Sequence, residues 1–277
     1  MELSTARSFL FAPGNEERKL RKALAAGADA VIADLEDGVA PERREEAREV
    51  VGRVLVEVET GCARLVRVNP PGSAWFGEDS ALAGRLQLDG IVLPKATPAS
   101  VAALGAVGPP VVAIVESAEG LRDCAETAAA SRVAALALGS HDLGAQLRLA
   151  QRPDQLEILF ARSQLVLESA AAGIRAPIDT VFLDVRDEAG LAEECRLAWT
   201  LGFRGKLCIH PAQLAAVHEV FAPSEEELAW ARRVLEAHEQ GLREGRGAVA
   251  LDGRMIDMPI VKQAQRLLAE AGGGRDG

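Results

Sequence analysis

The chain has little that would staple it or anchor it. Four cysteines, Cys62, Cys124, Cys195 and Cys208, are scattered over 277 residues, and none shows the C-x-x-C or C-x-x-H spacing of a zinc or redox site. They are expected to be buried thiols. Long apolar runs are missing as well: no segment approaches the ~18 residues of a membrane span. The opening MELSTARSFLFAPGN has one short apolar run, broken by Pro13 and Gly14, so no secretory leader is expected and a cytoplasmic location is. There is also no excess of positive charge. Lysine and arginine total 31 against 41 acids, a net charge of −10, with the acids spread along amphipathic segments. Such a surface argues against nucleic acid and anionic membranes as partners. An anionic ligand must then be held by a local basic cluster.

What is present is an ordinary globular composition, 48% hydrophobic and 26% charged, in a length that suits one α/β barrel of roughly 250 residues or two smaller domains. Eight β-type runs settle the choice: SFLFAP, DAVIADLED, ARLVRVNP, DGIVLPK, PVVAIVES, VAALALGS, APIDTVF and KLCIHP. Each is apolar nearly throughout, as in strands covered on both faces. Helical patterns lie between them, including 15–26, 41–59, 118–130, 155–172 and 187–201. Asn15 is placed to cap the first, and Pro41 to open the second ahead of an acidic first turn. The mixed charges of that second helix read as a solvated outer face. Strict β/α alternation predicts a (β/α)8 TIM-type barrel over residues 1–222. A C-terminal helical extension, 223–277, follows: a long helix near 224–244, a loop over 245–253, a helix from Pro259 to Ala271, and a glycine-rich end expected to fray.

In a parallel barrel, chemistry collects at the C-terminal ends of the strands. Polar residues recur there: Asp34, Glu36 and Asp37 after the second strand, Arg67 and Asn69 on the third, Lys95 after the fourth, Glu116 after the fifth, Asp142 after the sixth and His210 after the eighth. Glu116 and Asp142 end adjacent strands in this reading. Two carboxylates with few other charges beside them suit Mg2+, which takes oxygen ligands and keeps waters; each acid is otherwise a helix cap or a structural partner. Gly139 and Ser140 would turn the chain sharply and offer backbone N–H groups, with Asp142 toward the metal and His141 pointing elsewhere. No second histidine has the spacing for zinc. His210 reads as hydrogen-bonded in the pocket wall. Arg67, inside an apolar strand, either pairs with an acid such as Glu36 or grips an anionic ligand oxygen, while Arg64 reads as structural. The acids Asp34, Glu36 and Asp37 either ligate directly or orient waters and Arg67.

The stretches RSFLFAPGN, DLEDGVAPERREEAR, RVNP, VLPKA, IVESAEG, LALGSHDLG, GFRGKLCIHPAQ and GRMIDMPIVKQA, in this order, resemble the citrate lyase β-subunit-like family, related to malyl-CoA and citramalyl-CoA lyases. The resemblance covers nearly the whole chain; each motif is weak alone and the ordered set is specific. It implies a TIM-type barrel, Mg2+, a CoA or acyl-carrier thioester substrate with a keto acid such as oxaloacetate, and homo-oligomers, often trimers or hexamers. By position, Glu116 and Asp142 would be metal ligands, with Glu116 also at the substrate, and Arg67 would bind substrate oxygens. Asp257 matches an acid that acts at a neighbouring subunit's site; by local sequence alone it reads equally as a cap for the helix opened by Pro259. One departure is His141, where many relatives carry an acid.

The expected reaction is cleavage of a 3-hydroxyacyl thioester (citryl-, malyl- or citramalyl-CoA) into acetyl-CoA and a 2-keto acid. Arg67 would stabilise the thioester enolate and Asp257 would move the proton at the acetyl carbon. Two other readings compete: a malyl-CoA-type thioesterase, and a non-catalytic subunit that binds keto acid or CoA.

Overall fold

The computed structural model describes residues 3–246 and 249–272. The chain divides into two compact units, residues 1–221 and 222–277.

The first unit is built on seven parallel strands: β1 (Ser8–Pro13), β2 (Ala30–Asp34), β3 (Ala63–Arg67), β4 (Gly90–Leu93), β5 (Val111–Val115), β6 (Val133–Leu138) and β7 (Lys206–Cys208). They hydrogen-bond in the order β6-β5-β4-β3-β2-β1-β7. Between them run α1 (Glu17–Leu24), α2 (Arg44–Glu57), α3 (Phe76–Arg85), α4 (Pro98–Ala103), α5 (Ala118–Arg122), α6 (Cys124–Ala129), α7 (Ser140–Leu147), α8 (Leu159–Ala172) and α9 (Glu188–Leu201), with α10 (Leu214–Val220) after β7. Strand side chains alternate between two apolar layers, which is why the runs are apolar throughout. On β2, Val31 and Ala33 join the layer under the helices, whereas Ala30 and Ile32 join a second layer inside the curl, with Phe9, Leu65, Ile114 and Leu207.

APIDTVF, expected as a full strand, is reduced to two isolated bridges, Ala137 with Ile178 and Asp179 with Lys206. Its backbone still reaches both edge strands: Leu138 N donates to Ile178 O, and Leu207 N donates to Asp179 O. Pro177 brings no N–H, and Asp179 and Thr180 turn to side-chain partners described below, so a regular ladder does not extend.

Boundaries shift where local chemistry wins. The first helix starts at Glu17, with Glu16 at its cap position; Asn15, expected to cap it, has a buried Oδ1 without a hydrogen-bond partner among the described residues. Pro41 opens a 3-10 turn ahead of α2, and 118–130 breaks into two short helices at Asp123. Cys124, Cys195 and Cys208 are buried, Cys62 is partly so, and all four are free thiols.

The second unit holds α11 (Glu225–Arg243), a hairpin of β8 (Val249–Leu251) and β9 (Arg254–Ile256), and α12 (Met258–Gly272). Ser224 and Glu227 form a capping box at the head of α11, and α11 packs along α12. The hairpin corrects the expected loop at 245–253. Asp252 (φ 52°) and Gly253 (φ 76°) make its turn, the left-handed pair that matches strand twist. The glycine-rich end from 273 lies outside the described residues. No described helix is long and apolar enough to cross a membrane.

Candidate active site

All seven strands point the same way, so their C-terminal ends share a rim. At the end of β2 the chain folds back around Asp34: Glu36 N donates to Oδ1 (2.9 Å) and Gly38 N to Oδ2 (2.8 Å). A side chain at Gly38 would place its Cβ 2.4 Å from Oδ2, so this wrap requires glycine. Arg67, at the end of β3, meets the same carboxylate with two donors, Nε to Oδ1 (2.7 Å) and Nη2 to Oδ2 (2.6 Å). Its guanidinium also lies 4.7 Å from the centre of the Phe11 ring. Nη1 sits 3.0 Å from Glu36 Oε2, a charge contact that misses hydrogen-bond alignment and leaves that buried oxygen without a hydrogen bond. Burial opposes the Arg67 charge, yet Asp34, Glu36 and Asp37 together raise its pKa further above the ordinary value. The guanidinium is therefore permanently charged. Burial pushes the Glu36 carboxyl up, against the pull of Arg67.

Glu116 follows β5 and is 6% exposed. Its Oε1 accepts the Lys95 backbone N–H at 2.8 Å, and Lys95 Nζ reaches across to Glu36 Oε1 at 3.1 Å. Glu116 lies against the next strand's end, where a Cβ on Gly139 would fall 2.4 Å from Glu116 Cβ and 2.6 Å from its Oε2. Position 139 therefore requires glycine, because the neighbouring carboxylate needs the space. Burial pushes the Glu116 carboxyl up to about 7, and repulsion from Asp142 and Glu36 adds to it against the Lys95 N–H and the Arg67 charge.

Arg67, Glu116, Asp142 and His141 line one cavity of about 80 Å3, with Phe11 and Thr180 among the other walls. The strand-end residues Glu116 and Asp142 thus come together, as expected from their adjacent strands. Three readings of this corner change. His141 faces the cavity instead of pointing away, its Nε2 3.3 Å from Val181 O. The N–H groups of Gly139 and Ser140 are spent on Val115 O and Thr180 Oγ1, not offered to a ligand. His210 is exposed, and its Nδ1 accepts the Ala212 N–H (3.1 Å) to cap a 3-10 turn. Asp37 is exposed on the rim. Arg64 donates to the carbonyls of Leu55 and Gln87, a structural role. Asp257, in the second unit, immediately precedes α12; its Oδ1 lies 3.5 Å from Ile260 N, and its carbonyl accepts from Val261 N.

Local sequence carried no signal for several neighbours of this site. The Ser140 and Thr180 hydroxyls, 2.8 Å apart, join residues 40 positions apart. A second cavity of about 630 Å3 adjoins, sharing His141, Thr180 and Val181. Behind it, Arg162 and Lys206 both bind Asp179, Arg162 Nε at 3.0 Å and Lys206 Nζ at 2.6 Å; Lys206 also binds Glu194, and Gln155 bridges Glu194 and Arg162. Phe11 was legible in principle, since it shares the inward face of β1 with Phe9.

The donor set fits a hard divalent cation. Two carboxylates share the cavity, acids outnumber cations around it, and Glu36 Oε2 is buried without a hydrogen bond. No group of three or more His, Cys, Asp or Glu suited to a metal occurs among the described residues. The pair Glu116 and Asp142 suits an ion that keeps waters and takes further oxygens from a ligand.

A parallel sheet with this rim is matched, over residues 7–211, by the HpcH/HpaI aldolase/citrate lyase family, and the chain belongs to that family. Among its relatives, a (3S)-malyl-CoA thioesterase of Cereibacter sphaeroides is 36% identical over 269 residues, covering 96% of this chain and 94% of that protein. The citrate lyase subunit beta of Escherichia coli is 36% identical, covering 96% of this chain and 93% of that one. Among solved structures, CitE from Mycobacterium tuberculosis in complex with magnesium, acetoacetate and coenzyme A is 37% identical, with a TM-score of 0.84, and covers 98% of this chain and 100% of that one.

Proposed function

We propose that this protein is a Mg2+-dependent carbon–carbon lyase that interconverts a 3-hydroxyacyl-CoA thioester with acetyl-CoA and a 2-keto acid. The observation that carries the reading is the meeting of Glu116, Asp142 and Arg67 in one small cavity at the strand ends. Relatives from Mycobacterium tuberculosis crystallised with magnesium, acetoacetate and coenzyme A, and with magnesium and the 2-keto acid oxaloacetate, support this ligand set. In this reading residues 176–182 complete an eight-stranded barrel through their bridges to both edge strands, and the chain works as a homo-oligomer in the cytoplasm.

Glu116 and Asp142 would hold the Mg2+, which supplies chelation and Lewis-acid polarisation for keto-acid oxygens when bound. Arg67 performs the electrostatic work. Asp34 fixes its plane through two bonds, so the remaining guanidinium donors are preorganised for the thioester oxygen. When the hydroxyl proton is removed, the electrons of the breaking C–C bond move onto the thioester as an enolate, and the keto acid leaves. Protonation of the acetyl carbon completes the reaction. We assign that proton to Asp257 of a neighbouring subunit, on its position in the retained C-terminal element. Asp34, Glu36 and Asp37 are assigned to orienting Arg67 and ordered water.

The thioesterase reading has its own support in the Cereibacter sphaeroides relative: water would replace CoA at the malyl thioester carbonyl with the C–C bond intact, so that free CoA accumulates beside malate. The deciding experiment is turnover of citryl-, malyl- and citramalyl-CoA by wild type, Glu116→Gln and Asp257→Asn. Acetyl-CoA appearing with wild type and lost in both variants supports the lyase. If all three proteins are equally inert while wild type still binds keto acid, a non-catalytic subunit takes its place.

A further inference from the structure

Lys95 links Glu36 to Glu116, and it does so from a backbone conformation that costs energy. Its φ is 49°, in the left-handed region that side-chain-bearing residues avoid and that persists where surrounding structure over-determines it. Both flanks are clamped. On one side β4 ends at Leu93. On the other, Ala96 N donates to Ile114 O at 2.9 Å, and Thr97 and Ser100 form a capping box that starts α4. The carbonyl of Ala96 packs so closely on Gly120 that a Cβ there would lie 2.6 Å away. The chain cannot relax at 95 without moving these neighbours.

The conformation aims two donors of one residue at two different acids. The backbone N–H engages Glu116 Oε1 (2.8 Å), and the ammonium, half-exposed at the rim, engages Glu36 Oε1 (3.1 Å). Each bond takes one oxygen and releases the other. Glu116 is left with Oε2, the oxygen beside Gly139 and the start of the helix that carries Asp142. Glu36 is left with Oε2, the oxygen facing Arg67.

We propose that Lys95 is a positioning residue with two separable roles: its left-handed N–H selects the Glu116 oxygen presented to the cation, and its ammonium selects the Glu36 oxygen presented to Arg67. This rests on the reading that Glu116 and Asp142 hold Mg2+. The N–H role belongs to the backbone, so it survives loss of the side chain wherever the new residue tolerates φ near +50°. Glycine does, and a β-branched residue does not.

The test compares Lys95→Gly, Lys95→Val and Lys95→Met with wild type by Mg2+ calorimetry, by metal-free thermal melting to verify folding, and by kcat and KM for thioester cleavage. Lys95→Gly and Lys95→Met keep Mg2+ affinity within about twofold, whereas Lys95→Val weakens it about tenfold, in the range typical for partners that orient metal ligands. All three variants lower kcat by about tenfold or more with little change in KM, because the Glu36 and Arg67 geometry acts at the transition state. Equal Mg2+ affinity in folded Lys95→Val and Lys95→Gly overturns the N–H role, and an unchanged kcat in Lys95→Met overturns the ammonium role. Glu116→Gln separates the underlying reading. If that variant binds Mg2+ as wild type does, or wild type binds none, the metal assignment itself is wrong.

Discussion

Two clusters of charge lie in the same unit of this protein, and they are built to opposite rules. Arg162, Lys206, Asp179 and Glu194 form a sealed group, all at most 8% exposed. Two cations meet two anions there, and Gln155 takes up the remaining contacts. At the strand ends, Arg67 and Lys95 meet Asp34, Glu36, Asp37, Glu116 and Asp142, acids outnumber cations, and guanidinium donors remain unspent. The first group is balanced and saturated, as a buried ionic group must be to avoid a net destabilising charge. The second is left unbalanced beside a cavity. A deficit that would be costly in a core is what lets a site accept a cation and an anionic substrate.

The sharpest way to break this contrast is Glu116→Gln. Mg2+ binding and turnover should fall by at least about 100-fold. The metal-free protein should gain stability at pH 8, on the order of 2 kcal/mol, because the variant removes a carboxylate whose pKa is pushed up from 4.5 to about 7 mainly by burial. The sign follows from the raised value: the penalty of the buried charge grows as pH rises from 4.5 and is complete above about 7. Calorimetry and melting at pH 5 and pH 8 read both effects, and a loss of stability at pH 8 would place Glu116 with the sealed group.

Arg67→Met should lower kcat by about 100-fold or more, as expected for a preorganised donor at developing charge, while Mg2+ affinity measured by calorimetry changes little. A parallel loss of both would make Arg67 a structural partner of Asp34.

In the sealed group, Asp179→Asn should destabilise the fold by about 3 kcal/mol, since it strips the shared anion from two buried cations. Chemical denaturation measures it. Burial opposes the Asp179 charge, but Lys206 and Arg162 outweigh it and hold the pKa below its ordinary 3.8, while Asp179 and Glu194 hold Lys206 above its ordinary 10.5. The group therefore contributes fully between those two values. Its contribution is lost as pH falls through the lowered Asp179 value or rises through the raised Lys206 value, and Asp179→Asn should flatten both limbs of the wild-type stability profile. The smallest effect belongs to Asp37, exposed on the rim: Asp37→Asn should change kcat/KM by less than about threefold, as for a solvent-screened charge.

Much of the strand layout was legible because a parallel strand covered on both faces announces itself as an apolar run. The candidate acids were legible for a related reason: Asp34, Glu116 and Asp142 each follow such a run closely, where the shared chain direction gathers strand ends on one rim. The seventh run, APIDTVF, read as a strand because its composition matches one; that Asp179 and Thr180 serve Lys206, Arg162 and Ser140 depends on partners 17 to 40 residues away. The hairpin at 249–256 was hidden by its brevity, three residues a side, too short for alternation to register. His141 was misread because its direction is set by Val181, on a different segment.

The sequence by itself determined where the apolar runs of seven parallel strands lie, which ionisable residues stand near their ends, and that the surface repels polyanions, since these depend on local period and summed charge. Only the tertiary structure decided which oxygen of each carboxylate is occupied, which of the two charge clusters is closed and which is open, and why Lys95 must bend to the left. Those outcomes depend on desolvation and on distances between residues far apart along the chain, quantities that come into existence only when the sheet has curled and the helices have packed against it.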